Sequence, residues 1–244
     1  MTNPLFTIIT CTYNAEHTLE RTIKSVDGQT YPDIEHLIID GASKDGTLEI
    51  AATSETARVI SEPDKGLYDA MNKGISLAKG AYIIFLNAGD CFHRDDTLSE
   101  VASMLQGERP DIIYGETAIV DDSGRFLRMR RLQAPETLDW TSFRNGMLVC
   151  HQAFWARTDI ARSTPFDLKY RFSADVDWCI RVMKQSADIR NSHLTLIDYL
   201  SEGMSTTNHK ASLKERFDIM RGHYGLVRTV LQHCKFVVRA AVRP

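Results

Sequence analysis

The chain has 244 residues, 43% hydrophobic and 25% charged, with a formal net charge of −3 at pH 7. That gives room for one sizeable α/β domain with a buried sheet, and the slightly acidic balance argues against a general nucleic-acid binder. The five cysteines (Cys11, Cys91, Cys150, Cys179, Cys234) include no Cys-x-x-Cys pair, which suits neither a zinc site nor a disulfide framework and reads as reduced cytosolic thiols. Met1 to Phe6 has no signal-peptide pattern, and no apolar run approaches the ~20 residues that span a bilayer. The expected location is the cytoplasm, with at most peripheral contact at the cytoplasmic face of a membrane.

The first half alternates β-branched runs with helical patterns, the signature of parallel βαβ units. Phe6 to Thr12 reads as a strand, Thr18 to Val26 as a helix with Leu19, Ile23 and Val26 on one face, and Ile34 to Ile39 as a central strand. A turn-rich loop from Asp40 leads to a short helix near Thr47. Arg58 to Ser61 is the third strand, Tyr68 to Ala78 a helix closed by Gly80, and Tyr82 to Leu86 a strand ending at Asn87-Ala88-Gly89-Asp90. After a helix over Asp95 to Leu105 the rhythm changes: strands are expected at Asp111 to Tyr114, Thr117 to Val120 and Phe126 to Arg131, then a looser stretch to about Cys150. A strand at Ala153 to Ala156, a helix at Ala174 to Lys184, a strand at His193 to Tyr199 and one or two helices from Lys210 complete the reading.

In parallel α/β sheets, ligands bind outside the carboxyl ends of the strands. Polar residues gather at those ends here: Thr12-Tyr13-Asn14, Asp40, Glu62 to Lys65, and Asp90. No Gly-x-Gly-x-x-Gly turn follows the first strand, which excludes a cradled dinucleotide or P-loop and leaves phosphate to a metal or to side chains. Mg²⁺ or Mn²⁺ on a diphosphate needs hard oxygen ligands, and Asp90, behind a buried strand and next to Gly89, is the candidate carboxylate.

Four segments carry a resemblance: Ile8-Ile9-Thr10-Cys11-Thr12-Tyr13-Asn14, Ile38 to Thr47, Ser61-Glu62-Pro63-Asp64-Lys65-Gly66-Leu67-Tyr68-Asp69-Ala70-Met71-Asn72-Lys73-Gly74, and Phe85-Leu86-Asn87-Ala88-Gly89-Asp90. Over roughly the first 200 residues the chain resembles a family 2 glycosyltransferase of the GT-A fold. The third segment is similar to enzymes of bacterial surface-polysaccharide (colanic-acid-type) clusters. The resemblance implies a Rossmann-like, mostly parallel central sheet flanked by helices, with a smaller acceptor-side region and C-terminal helices. It also implies inverting transfer from a nucleoside-diphosphate sugar to an acceptor hydroxyl of a glycan or lipid-linked acceptor. The division it suggests is a GT-A domain over 1–203, with a nucleotide-sugar half at 1–106 and an acceptor and base half at 107–203. A basic helical extension over 204–244 follows.

By that resemblance Thr12 and Tyr13, with Asn14 beside them, wall the nucleobase pocket, and Asp40 accepts a hydrogen bond from the base. Lys65 places a cation near the diphosphate. Asn72 and Asn87 join the donor site, and Asp90 ligates a bridging Mn²⁺ or Mg²⁺. Where an Asp-x-Asp pair is usual in the family this chain has Asn87 and Gly89, so the metal rests on Asp90, with His209 as a second metal or phosphate contact after Gly203-Met204-Ser205. Ser173 to Arg181 resembles the family's acidic motif at a helix start: Asp175 matches the catalytic base, with Asp177 its understudy. His151-Gln152 resembles a pair in related polysaccharide enzymes, implying acceptor or phosphate contact, a role also open to Asp177.

Two alternatives stand beside this reading: transfer to a polyprenyl phosphate, and a non-catalytic nucleotide-sugar binder, the latter motivated by Asn87, Gly89 and Ala174. After Asp218 no acidic residue occurs, whereas Arg221, Arg228, Lys235, Arg239 and Arg243 do. Interleaved with apolar residues, they read either as a solvated helical face or as a peripheral hold on the anionic inner membrane.

Overall fold

In the computed structural model, which describes residues 4–201 and 209–242, the strands join into a single sheet. The first strand, β1 (Phe6–Thr12), is buried along its whole length. The amphipathic helix α1 (Leu19–Asp27) buries Leu19, Ile23 and Val26 before the chain returns as β2 (Ile34–Asp40), parallel to β1; Ile38 of β2 packs with Leu19 and Ile23. The short α2 (Thr47–Ala51) leads to β3 (Ala57–Ser61), parallel to β2, and α3 (Leu67–Leu77) then carries the chain to β4 (Tyr82–Phe85) on the other side of β1. Strand order therefore reverses at β1, and the switch opens a crevice at the carboxyl edge.

A two-residue strand β5 (Cys91–Phe92), which the sequence did not announce, and α4 (Thr97–Leu105) precede the antiparallel part. β6 (Ile112–Val120) is one strand where two were expected. Gly115 and Glu116 fall between the two expected strands. The chain instead stays extended there between flanking strands, and its pairing with β9 (Ile189–Leu200) shifts register at this point. A Cβ on Gly115 would come 2.6 Å from the Leu194 carbonyl oxygen, so only glycine allows this approach. β7 (Phe126–Met129) pairs with β6 on an edge, and β8 (Phe154–Arg157) runs antiparallel between β4 and β6. The resulting order is β3-β2-β1-β4-β8-β6-β9-β5.

The helices α5 (Thr158–Ser163), also unannounced, and α6 (Ala174–Lys184) follow β8. Trp178 of α6 and Trp155 of β8 are fully buried, Trp178 stacking on Phe166 at 4.9 Å. α7 (His209–Tyr224) and α8 (Leu226–Val242) end the chain. α7 is more than an appendage, since Ile219, Met220 and Tyr224 belong to the same apolar core as the sheet. Among the described residues no helix is long and apolar enough to cross a membrane.

Candidate active site

The register of the parallel strands sets Thr12, Asp40 and Ser61 side by side at the carboxyl edge. Asp40 is fully buried, and its two oxygens accept four hydrogen bonds: from the Thr12 and Ser43 hydroxyls on Oδ1, and from the Ser43 amide and Ser61 hydroxyl on Oδ2. Burial pushes this carboxyl upward, but the donors from Ser43, Ser61 and Thr12 outweigh it and hold the group below the ordinary carboxylate range. Asp40, expected to accept a hydrogen bond from a base, thus also braces three strands and a loop. Asn14 serves the same loop: in left-handed backbone (φ 50°), it donates its amide N–H to Ser43 Oγ at 2.8 Å and accepts from the Lys44 amide at 3.0 Å. The surface left open is the Tyr13 ring, 66% exposed, beside Gly41. A Cβ on Gly41 would come 3.4 Å from Tyr13 and 2.5 Å from Asp64 Oδ2, so glycine keeps this floor flat.

Lys65 is exposed on the loop before α3, its backbone N–H bound to Asp69, and its ammonium has no ion-pair partner among the described residues. Asn72, expected at the donor, instead clamps Phe166: its amide nitrogen donates to the Phe166 carbonyl at 3.0 Å and its oxygen accepts the Phe166 amide at 2.8 Å.

The tight turn after β4, with Gly89 at φ 102°, points Asp90 inward. Asp90 is 5% exposed; Oδ1 accepts the Leu200 amide at 2.7 Å and Oδ2 accepts the Gln152 side-chain amide. Burial raises its carboxyl to about 6, against the pull of those two donors. A divalent cation takes about six oxygen ligands. Here the one carboxylate expected to hold it is engaged by protein donors, and the nearby Asn87 Oδ1, buried without a partner, is a single neutral oxygen. Among the described residues no three His, Cys, Asp or Glu side chains stand together as a metal site. These residues do not fit a protein-held Mn²⁺ or Mg²⁺, and Asp90 acts as a tie between β4, β9 and the 151–152 turn. His209 opens α7, but its side chain lies outside the described residues, as does Gly203-Met204-Ser205.

Asp175 is the second residue of α6, where the helix N-terminus favours a negative charge. The Tyr68 hydroxyl of α3 donates to its Oδ1 at 3.1 Å, and His151 Nδ1 stands 3.5 Å from its Oδ2. Burial opposes the charge, yet His151, Arg216 and Tyr68 together hold Asp175 below the usual carboxylate range. Burial likewise opposes the imidazolium of His151, and the Asp175 carboxylate reverses this and lifts it above its ordinary value. His151 Nε2 is buried without a partner. Gln152, the next residue on the same 3₁₀ turn (His151–Ala153), is the one that holds Asp90. One turn therefore touches both carboxylates and ties the end of β4 to the start of α6.

The segment ahead of α6 is held from α7. Glu215 accepts the backbone N–H groups of Arg171, Phe172 and Ser173 at 2.8–3.0 Å, and the Ser173 and Ser212 hydroxyls meet at 2.9 Å. Ser173 occupies the N-cap position but turns its hydroxyl to α7 rather than capping α6. Asp177, expected near acceptor or phosphate, faces α7: His223 Nε2 lies 2.8 Å from Oδ1 and Arg181 Nε donates to Oδ2 at 2.6 Å. This is a structural ion-pair cluster. Asp177→Asn should lower the melting temperature by a few degrees, about 1–3 kcal/mol, and leave turnover within about threefold. Lost activity at an unchanged melting point would place Asp177 in the reaction instead.

Sequence reading missed Tyr68, Glu215 and Arg216. Tyr68 sits inside a segment that carried the resemblance, and its stacking on Phe166 at 5.3 Å explains why Asn72 clamps that residue. Glu215 and Arg216 gave no local signal, because they act across the fold.

The family model for glycosyl transferase family 2 matches residues 7–163, ending ahead of α6. A "PGL/p-HBAD biosynthesis glycosyltransferase" of Mycobacterium bovis BCG is 35% identical over 207 residues, covering 82% of this chain and 78% of that protein. Among solved structures, Staphylococcus aureus TarS 1-349 superposes with a TM-score of 0.72 at 16% identity, over 95% of this chain and 72% of that one. TarS has also been solved with UDP-GlcNAc (TM-score 0.69, 18% identity, 89% and 64% covered). The mannosyltransferase PcManGT of Pyrobaculum calidifontis, with GDP-Man and Mn²⁺, gives 0.59 at 14% identity, over 100% and 77%. At such identities the solved structures establish the α/β GT-A-like fold, and the family match with the mycobacterial relative establishes the rest: this chain belongs to glycosyltransferase family 2.

Proposed function

We propose that the chain moves a glycosyl group from a nucleoside-diphosphate sugar to an acceptor hydroxyl with inversion, and that Asp175 takes the acceptor proton. The observation that carries this is Asp175 itself: an ionised carboxylate at a helix N-terminus, held by Tyr68 and His151 on the turn that also reaches the end of β4. In such a transfer the acceptor oxygen attacks the anomeric carbon as the bond to the diphosphate oxygen breaks. The electron pair leaves with the nucleoside diphosphate, and the proton passes to the carboxylate. The longer contact, at Oδ2, is the one to open for the acceptor. The donor class is supported by UDP-GlcNAc and GDP-Man in proteins of the same fold.

A divalent cation, where bound, supplies Lewis-acid stabilisation of the leaving diphosphate. Since the described residues do not fit one, no step is assigned to it, and the leaving charge is matched here to Lys65. Tyr13 is the stacking face for the base. The setting we favour is assembly of a bacterial surface polysaccharide or glycolipid on a glycan or lipid-linked acceptor. The naming of the mycobacterial relative for PGL/p-HBAD biosynthesis supports this.

A thermal-shift series with nucleoside diphosphates tests the donor side: the preferred one should raise the melting point by mass action. Tyr13→Ala should weaken that nucleotide by about tenfold or more, the loss of one stacking contact. If no nucleoside diphosphate shifts the wild-type protein, the reading fails.

A further inference from the structure

α8 is amphipathic in an unusual sense. Thr229 is buried, His233 packs on Phe217 (ring centroids 5.0 Å apart), and Phe236 leans on the main core, so one side fixes the helix to the body. The opposite side, at helical spacing, is apolar and open: Leu226, Val227 (72% exposed), Val230, Leu231 (60% exposed), Cys234 and Val238. A helix facing water would carry charge there.

Beside this stripe, a cleft of about 340 Å³ separates α8 from the turn at Ser142–Asn145. Arg144, Arg228 and Lys235 line it with Met220, Tyr224 and Leu231, and no carboxylate is among its lining residues. The Arg144 guanidinium lies over the rings of Trp140 and Tyr224, at 5.9 and 5.7 Å, with its Nε buried and unpartnered. Leu231 belongs both to the stripe and to the cleft rim. The chain from Ile219 onward contains no acid that would repel an anionic surface.

We propose that α8 lies in the plane of an anionic bilayer, its apolar stripe among the acyl chains and a lipid phosphate headgroup seated between Arg144, Arg228 and Lys235. A free phosphate could use the cations but would leave the stripe in water. Only an amphiphile satisfies both halves of the surface. This surface is separate from the Asp175 site and does not depend on the proposed reaction.

The test uses the full chain and phosphatidylcholine vesicles with or without phosphatidylglycerol. Co-sedimentation should favour the anionic vesicles by roughly tenfold or more and fall with salt. Arg228→Glu with Lys235→Glu should abolish that preference, and Val227→Asp with Leu231→Asp should abolish binding. Each variant should retain its nucleotide-induced thermal shift as proof of folding. An environment-sensitive fluorophore on Cys234 should blue-shift with anionic vesicles in the otherwise unaltered protein. Equal partitioning onto both vesicle types, no partitioning, or unaffected double variants would overturn the proposal. Displacement from vesicles by millimolar inorganic phosphate at constant ionic strength would also overturn it, because the cleft would then serve a free anion.

Discussion

Asp175→Asn should reduce turnover by roughly 10²-fold or more while leaving the affinity for a nucleoside diphosphate nearly unchanged. The carboxamide keeps the shape of the side chain and can still accept the Tyr68 hydroxyl, so the local packing should hold. What it loses is the capacity to take a proton. The effect should therefore appear in kcat, with KM for the donor almost constant. Because the wild-type carboxyl is held below its usual range, the acid limb of the wild-type rate profile should lie at or below the ordinary aspartate value of about 3.9. Activity within about threefold of wild type would remove Asp175 from the reaction.

Asp90→Asn should act on stability more than on metal. Two buried donors, the Leu200 amide and the Gln152 amide, converge on the two carboxylate oxygens. An asparagine offers one oxygen and sets an N–H₂ against the other donor, leaving a buried polar group unsatisfied at a cost of about 1–3 kcal/mol. For a chain of this size that is a fall of roughly 2–12 °C in melting temperature. Titration with Mn²⁺ should give the same response in wild type and variant, since neither holds the ion at this side chain. A Mn²⁺ response present in wild type and lost in a variant of unchanged melting point would restore Asp90 as a ligand.

Much of the fold was legible because its signals are local. The apolar runs of β1, β2 and β4 and the stripe of α1 lie within a residue or two of the expected bounds. Asp175 was named from a resemblance to the family's acidic motif, and the helix expected there is present, with Asp175 in its first turn. What could not be read was where each polar atom makes its hydrogen bonds. Asp40 looks like an open carboxylate until Ser61, 21 residues on, takes one of its oxygens. Asp90 looks like a metal ligand until Leu200, 110 residues on, donates to it. Asn72 needed Phe166, 94 residues away, to show its task. The fused strand β6 was hidden similarly, since Gly115 reads as a break between two strands unless the strand beside it is known to need the space.

The grip of Glu215 on the segment from Arg171 to Ser173 has a consequence for how the enzyme is born. During synthesis the backbone just ahead of Asp175 gains this brace only after Glu215, 42 to 44 residues further on, has emerged with α7 and docked.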